Sequence, residues 1–416
     1  MSGKKLRVLC LVFILPISGF AAGEGFDGFL RRAGDLLFPI GFYDMPQDDA
    51  GLREMAEAGV NLVHCHSLEE LDRAQAAEMQ GVVPLPLDKG ATEELREQAG
   101  KLAGHPAMAV WEGPDEVVWN FTAFSGLYKT LGVHKESGAW WKQTPEAVAY
   151  AEQKAAEIMP NMRAAVGMLR ELDGGAHPVW INEAEKSDVG YVRQYLEFVD
   201  ITGCDIYPIK AEKRNPARIA SSVEQWKQVG RGKPVWMVLQ AFSWNELGEY
   251  YGAKETAYPT FAESRLMAYD AIAHGARGIL YWGGRFAKSG EFRQSLYALT
   301  AELAALQPFL TEPEVAGTAV SAIEMPEDAG DKPVAGTVRK NRGEWLIILV
   351  NEDDNPHMAV VVRGLQELEG RALHELYGEN ALTVSGGELV TRMMPRAVQV
   401  FCTSKTCEAR RDGRAF

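Results

Sequence analysis

The chain has 416 residues, 46% hydrophobic and 24% charged, with a formal net charge of −14. That is a globular composition with enough length for a large core, either as two or three domains or as one α/β barrel with an addition. The acidic balance argues against nucleic acid or an anionic membrane surface as the main partner, because phosphate binding needs a basic face.

The first residues read as an address. Lys4, Lys5 and Arg7 precede the apolar run 8–20, which is too short and poorly flanked for a spanning helix, and Gly19 and Ala21 fit a cleavage site. Residues 1–21 are expected to be a signal peptide. The mature chain would then be secreted or periplasmic, free of the membrane, with a charge of about −17. An uncleaved anchor is the alternative.

From residue 38 a rhythm sets in. A strand at 38–43 leads to a helix at 51–59, and a strand at 60–66 to a helix at 68–80. A strand at 81–87 precedes a helix at 92–104, and a strand at 107–113 precedes a long helix at 145–172 with Thr144 as N-cap and Pro145 in its first turn. Strands at 178–184 and 201–208 precede helices at 191–199 and 219–230. Strands at 234–242 and 278–283 precede helices at 261–275 and 291–307. The strands are near-continuous apolar runs, as parallel strands buried on both faces are. Eight strand–helix units over about 270 residues predict an α/β fold, the (β/α)8 TIM barrel, spanning 22–311. An open doubly wound sheet is the alternative; no G-x-G-x-x-G follows the first strand, so its dinucleotide-binding form has no support.

After about residue 312, short strands such as "EWLIILVNE" and "MAVVVRGL" alternate with Gly, Asp, Asn and Pro. They predict a small antiparallel β-sandwich over 312–403 and a loose tail over 404–416. Cys65 and Cys204 lie in apolar runs and read as buried free thiols, whereas Cys402 and Cys407 are placed to close a small loop. No cluster has zinc spacing, and "HCH" at 64–66 puts His64 and His66 on one strand face and Cys65 on the other, so no metal is expected. "NFT" at 120–122 is a glycosylation sequon that matters only in a eukaryotic host.

Barrel chemistry gathers at the C-terminal strand ends. Those ends carry Tyr43 and Asp44, His64 and His66, Asp88, then Trp111, Glu112, Asp115 and Glu116. They continue with Asn182 and Glu183, Asp205 and Tyr207, Gln240, Phe242 and Trp244, and Tyr281 and Trp282. Acids, amides and aromatic rings share one rim, with no phosphate-binding glycine loop and no obvious Ser–His or Cys–His pair. Sugar chemistry needs that set. One carboxylic acid protonates the glycosidic oxygen, and a second carboxylate attacks or activates water. Aromatic rings stack on the sugar's apolar faces, and acids and amides bind its hydroxyls. A carboxyl closing an apolar strand beside other acids should have a raised pKa, as a general acid requires.

"WEGPDE" at the fourth strand, "DIYP" at the sixth and "ESRLMAYDAIAHGARGILYWG" leading into the eighth resemble secreted bacterial TIM-barrel glycoside hydrolases over about 38–310. An appended β-sandwich is common in that group. The resemblance implies an acid/base glutamate closing strand four, where Glu116 stands within "DE" rather than the usual "NE". It also implies a nucleophilic glutamate closing strand seven, where this chain has Gln240, and an amide cannot be a nucleophile. Asp205 is the first substitute, since "DIYP" puts it and Tyr207 on one strand face; Glu246 and then Glu183 follow.

The expected function is hydrolysis of O-glycosidic bonds in a poly- or oligosaccharide, catalysed by Glu116 and Asp205 without a cofactor. Asp44, His66, Trp111, Asp115, Tyr207, Gln240, Trp244 and Trp282 are expected to bind substrate. Each has a plainer reading: helix cap for Asp44, barrel filler for Trp111 and Trp282, solvated loop for Asp115, surface acid for Glu112. Glu263 and Arg265 read as a structural ion pair. Trp119, Trp140 and Trp141, in the excursion 117–143, either wall the cleft or meet another chain. The competing functions are a non-catalytic carbohydrate-binding protein on a degenerate barrel, and a lyase or esterase of acidic polysaccharide, for which no Tyr/His or Ser/His constellation is evident. The sequence sets no oligomeric state.

Overall fold

The structure is a computed structural model describing residues 26–124, 138–248, 253–323 and 334–409. The expected signal peptide lies outside the described residues.

The barrel strands are β1 (Ile40–Phe42), β2 (Leu62–His64), β3 (Gln80–Pro84), β4 (Met108–Glu112), β5 in two segments (Val179–Trp180 and Glu183–Ala184), β6 (Thr202–Asp205), β7 (Val235–Gln240) and β8 (Gly278–Trp282). Every neighbouring pair is parallel, and β8 pairs back onto β1. The first segment of β5 pairs with β4 and the second with β6, while one bridge, Trp180 to Ile201, joins the two sides. The cylinder is therefore closed, and each expected strand is present with its ends trimmed.

Strand alternation sorts the side chains. Leu62, Val82, Val110, Trp180, Trp236, Val238 and Leu280 fill the cylinder, and Val63, Val83, Trp111, Ile181, Met237 and Leu239 face the helices. A short hairpin, Leu30–Arg32 with Asp35–Leu37, adds Leu30 to the interior cluster. Trp236 Nε1 donates to the Gly28 carbonyl at 2.9 Å. Gly28 has φ 91°, and a Cβ there would lie 2.6 Å from the Pro234 side chain, so only glycine fits this approach.

The helices are α1 (Asp49–Glu57), α2 (Leu68–Ala76), α3 (Glu93–Leu102), α4 (Val117–Phe121), α5 (Pro145–Asp173), α6 (Val189–Tyr195), α7 (Arg218–Gly230), α8 (Phe261–Ala273), α9 (Gly290–Ala305) and α10 (Gln307–Leu310). Thr144 caps α5, accepting from Ala147 N at 3.4 Å. A Thr260–Glu263 capping box starts α8. Among the described residues no helix is long and apolar enough to cross a membrane.

Eight further strands follow: β9 (Ala319–Ala322), β10 (Ala335–Asn341), β11 (Glu344–Val350), β12 (His357–Arg363), β13 (Ala372–Glu375), β14 (Ala381–Thr383), β15 (Glu388–Met393) and β16 (Val398–Cys402). They form two antiparallel sheets, β9–β12–β15 and β10–β11–β16–β13–β14. Val338, Trp345, Ile347, Leu349, Val360, Val362, Leu389 and Phe401 make a core of their own. The other face of the larger sheet, with Leu346, Ile348, Val350 and Val400, joins the barrel's outer core against α8. That explains why α8 is buried nearly all round at Leu266, Met267, Ala268, Tyr269, Ala271 and Ile272.

Glu263 and Arg265 are structural but do not pair with each other. Glu263 pairs with Arg214. Arg265 Nε donates to Glu302 Oε1 at 2.7 Å and Nη1 to the Val398 carbonyl at 2.8 Å, tying α8 to β16. Cys402 and Cys407 form a disulfide, and Cys65 and Cys204 are buried free thiols.

Candidate active site

β4 ends inside the cylinder. Its parity turns Val110 and Glu112 inward and Trp111 outward. Gly113 and Pro114 then carry the chain to Asp115 and Glu116 on the rim. Glu116 is held at φ 49°, ψ 39°, a left-handed conformation that costs a side-chain-bearing residue roughly 1–2 kcal/mol. Its N–H donates to the Asn182 carbonyl at 3.0 Å, which fixes the loop to β5. Glu183 secures the next turn. Its carboxylate accepts from Val118 N at 3.0 Å, Trp119 N at 3.4 Å, Ser187 Oγ at 2.6 Å and Tyr195 OH at 3.2 Å. Burial pushes the Glu183 carboxyl up to about 8 against those hydrogen bonds. Glu183 therefore anchors α4 and does not face the cleft.

Above the barrel's C-terminal mouth lies a cleft of about 590 Å³. Asp115, Glu116 and Asp205 line it, with Trp119, Trp140, Trp141, Tyr207, Trp244 and Trp282 as aromatic walls. The Glu116 and Asp205 carboxyls lie side by side in the cleft, near enough for each to shift the other's protonation, and Tyr207 lies beside Asp205. Burial raises the pKa of both. The Glu116 and Asp115 charges push Asp205 further up, while the hydrogen bond from Asp205 holds Glu116 down. Asp115 accepts from Asn182 Nδ2 at 2.9 Å. Burial and then the Glu112 charge push its carboxyl up to about 7. The residue is nonetheless exposed to the cleft, so solvent there screens part of that effect.

Under these acids, Glu112 is 1% exposed. It accepts from Tyr43 OH at 3.0 Å and lies 3.0 Å from His64 Nε2, so it is no surface acid. Burial, the largest influence on His64, opposes its charge, but the Glu112 carboxylate outweighs it and the pKa is raised. Tyr207 stacks on Trp282 at 5.5 Å, and Lys210 Nζ sits 4.3 Å over the Trp244 ring. Trp119 and Trp141 are 6.1 Å apart, and Trp141 is 56% exposed.

The structure thus brings Glu116, Asp205, Asp115, Tyr207, Trp244 and Trp282 into one cleft. Four expected substrate contacts are placed elsewhere. Trp111 faces the helix layer, fully buried, with Nε1 donating to Asp173 Oδ2 at 2.9 Å. Gln240 is also fully buried: Oε1 accepts from Ile209 N at 3.0 Å, and Nε2 donates to the carbonyls of Ile209 at 2.9 Å and Phe242 at 3.0 Å. Its amide holds the loop after β6 and has nothing left for a sugar. Asp44 accepts from Arg285 N at 3.1 Å and lines a neighbouring pocket. His66 is exposed and outside the cleft lining; Glu246, half-buried, is outside it too, and its carboxylate takes Tyr258 OH. Sequence reasoning missed the wall formed by Glu185, Lys186, Lys210 and Arg218, in which Arg218 pairs with Glu185. Among the described residues, the group with metal-ligand geometry is not here but at Asp270, His274 and Glu352.

No family model matches the chain, and neither does any curated protein. Solved structures with the same fold are glycoside hydrolases. A β-galactosidase from Bacillus circulans sp. alkalophilus aligns at TM-score 0.51 and 10% identity over 88% of this chain and 99% of that one. A structure described as a glycoside hydrolase aligns at 0.50 and 11% identity over 91% and 95%. A β-galactosidase from the psychrophilic Marinomonas ef1 aligns at 0.44 and 15% identity over 64% of this chain, which spans 60% of that protein's length. At these identities the likeness is one of fold.

Proposed function

We propose that the chain is a secreted or periplasmic glycoside hydrolase that cleaves O-glycosidic bonds of a poly- or oligosaccharide, with Glu116 as general acid and Asp205 as the partner carboxylate. The observation that carries this reading is the pair of neighbouring carboxyls, both with raised pKa, lining one cleft with a wall of aromatic rings. Two like charges so close disfavour joint ionisation, so one carboxyl stays protonated where an ordinary carboxylic acid would not. The protonated partner donates to the glycosidic oxygen. The ionised one stabilises the positive charge growing at the anomeric carbon, by attack or through water. Tyr207, beside Asp205, favours its ionised form. Asp115 and the aromatic walls are placed to hold the sugar. The division into signal peptide (1–21), barrel (22–311), sandwich (312–403) and tail (404–416) belongs to the same reading.

One second reading, a cleft that binds glycans without turnover, is favoured by strand seven ending in Gln240, a buried amide bonded to backbone, in place of a carboxylate. Glu116→Gln separates them. Release of reducing ends from a polysaccharide panel should fall by about 10²–10⁴ while glycan binding persists. Unchanged turnover in the variant rejects the assignment, and a wild type that binds glycans but releases no reducing ends establishes the binding protein.

A further inference from the structure

We infer that Asp270, His274 and Glu352 form a divalent transition-metal site that clamps the barrel's helix layer to the β-sandwich. Asp270 and His274 lie one turn apart at the end of α8, and Glu352 follows β11 on the facing sheet. One ligand atom from each lies within 4.8 Å of the others. His274 Nε2 is 2.8 Å from Glu352 Oε1 and 3.7 Å from Asp270 Oδ1. These values straddle the ~3.3 Å between donors that each lie about 2.0–2.1 Å from a small tetrahedral ion. One imidazole and two carboxylates suit zinc or a similar ion with nitrogen and oxygen ligands.

Two further observations point to a ligand. Asp270 is 0% exposed, and its Oδ1, turned into the group, accepts no hydrogen bond. Its other oxygen is taken by Ala220 N at 3.0 Å, which fixes the orientation. A buried carboxylate oxygen without a donor is costly, and a cation would relieve the cost. His274 Nδ1 lies 3.0 Å from Glu224 Oε1, itself bonded by Lys227 Nζ at 3.0 Å. That is the carboxylate–histidine–metal relay, which sets the tautomer and leaves Nε2 free to coordinate. The His274 and Glu352 side chains are 21% and 25% exposed, so an ion can reach the group from solvent.

The test uses the full chain, stripped with chelator and dialysed, then titrated with ZnCl2 by calorimetry. One ion should bind per chain, and the melting temperature should rise. Glu352→Gln, on an accessible loop where misfolding is not a concern, should weaken binding at least tenfold, and Glu224→Gln about 10–100-fold through the relay. Absence of saturable one-to-one binding overturns the site, as does wild-type affinity in both Glu352→Gln and His274→Gln. The group lies outside the sugar cleft, so either result leaves the glycosidase reading untouched.

Discussion

Glu116 combines a strained backbone with a carboxyl beside that of Asp205 in the cleft. If the left-handed conformation is held for the sake of the acid, removing the acid should reveal the strain. Glu116→Gly should be more stable than Glu116→Ala by about 1 kcal/mol in urea unfolding, because glycine adopts φ 49° without a Cβ clash, though both lose activity. Equal stabilities would show that the backbone is relaxed there. The raised pKa values make a second prediction. Both carboxyls are raised, so a singly protonated pair persists above the ordinary carboxylate range of about 4. Rising pH removes the remaining proton and the general acid with it, and falling pH protonates the second carboxyl. kcat/KM against pH should be bell-shaped with its alkaline limb well above ~5; a limb near ~4.3 would contradict the dyad. The sequence carried Glu116 and Asp205 because strand ends and parity are local properties. It left Trp111 open because the direction of "VWE" depends on where the cylinder's axis lies. It missed Lys210 and Arg218 because loop length says nothing of which wall a loop makes.

At the scale of elements, the rhythm of apolar runs and amphipathic helices was legible almost throughout. What covers a strand end was not. Gln240 ends β7 as expected, yet its amide is consumed by the backbone of Phe242, two residues on, and of Ile209, which is 31 residues away in sequence. Gln240→Ala should therefore cost about 2–3 kcal/mol by stranding buried backbone groups. Gln240→Glu should cost more and gain no activity, because a carboxylate would face two carbonyl oxygens that now accept from Nε2. Urea midpoints and turnover check both; a gain of turnover in Gln240→Glu would show that the side chain does reach the cleft. The acids around His274 were illegible for the same reason. Residues 224, 270–274 and 352 come from three segments whose meeting only the docked sandwich creates.

For the whole molecule, α8 is the shared wall between barrel and sandwich, and it has no polar face to show to water. A chain cut at residue 311 would expose its apolar side and leave Arg265 without the Val398 carbonyl. Residues 22–311 produced alone should aggregate or melt far below the full chain; a monomer with unchanged melting temperature would show that the barrel stands alone. The sequence marked the boundary through its change of rhythm, but long-range docking leaves no local trace.

The divided fifth strand has a consequence for binding. Between Trp180 and Glu183 the hoop of ladder bonds thins to one bridge, and Asn182, whose carbonyl carries the Glu116 N–H, stands in that gap. A guest seated against Glu116 therefore pushes on the least-tied stave of the cask.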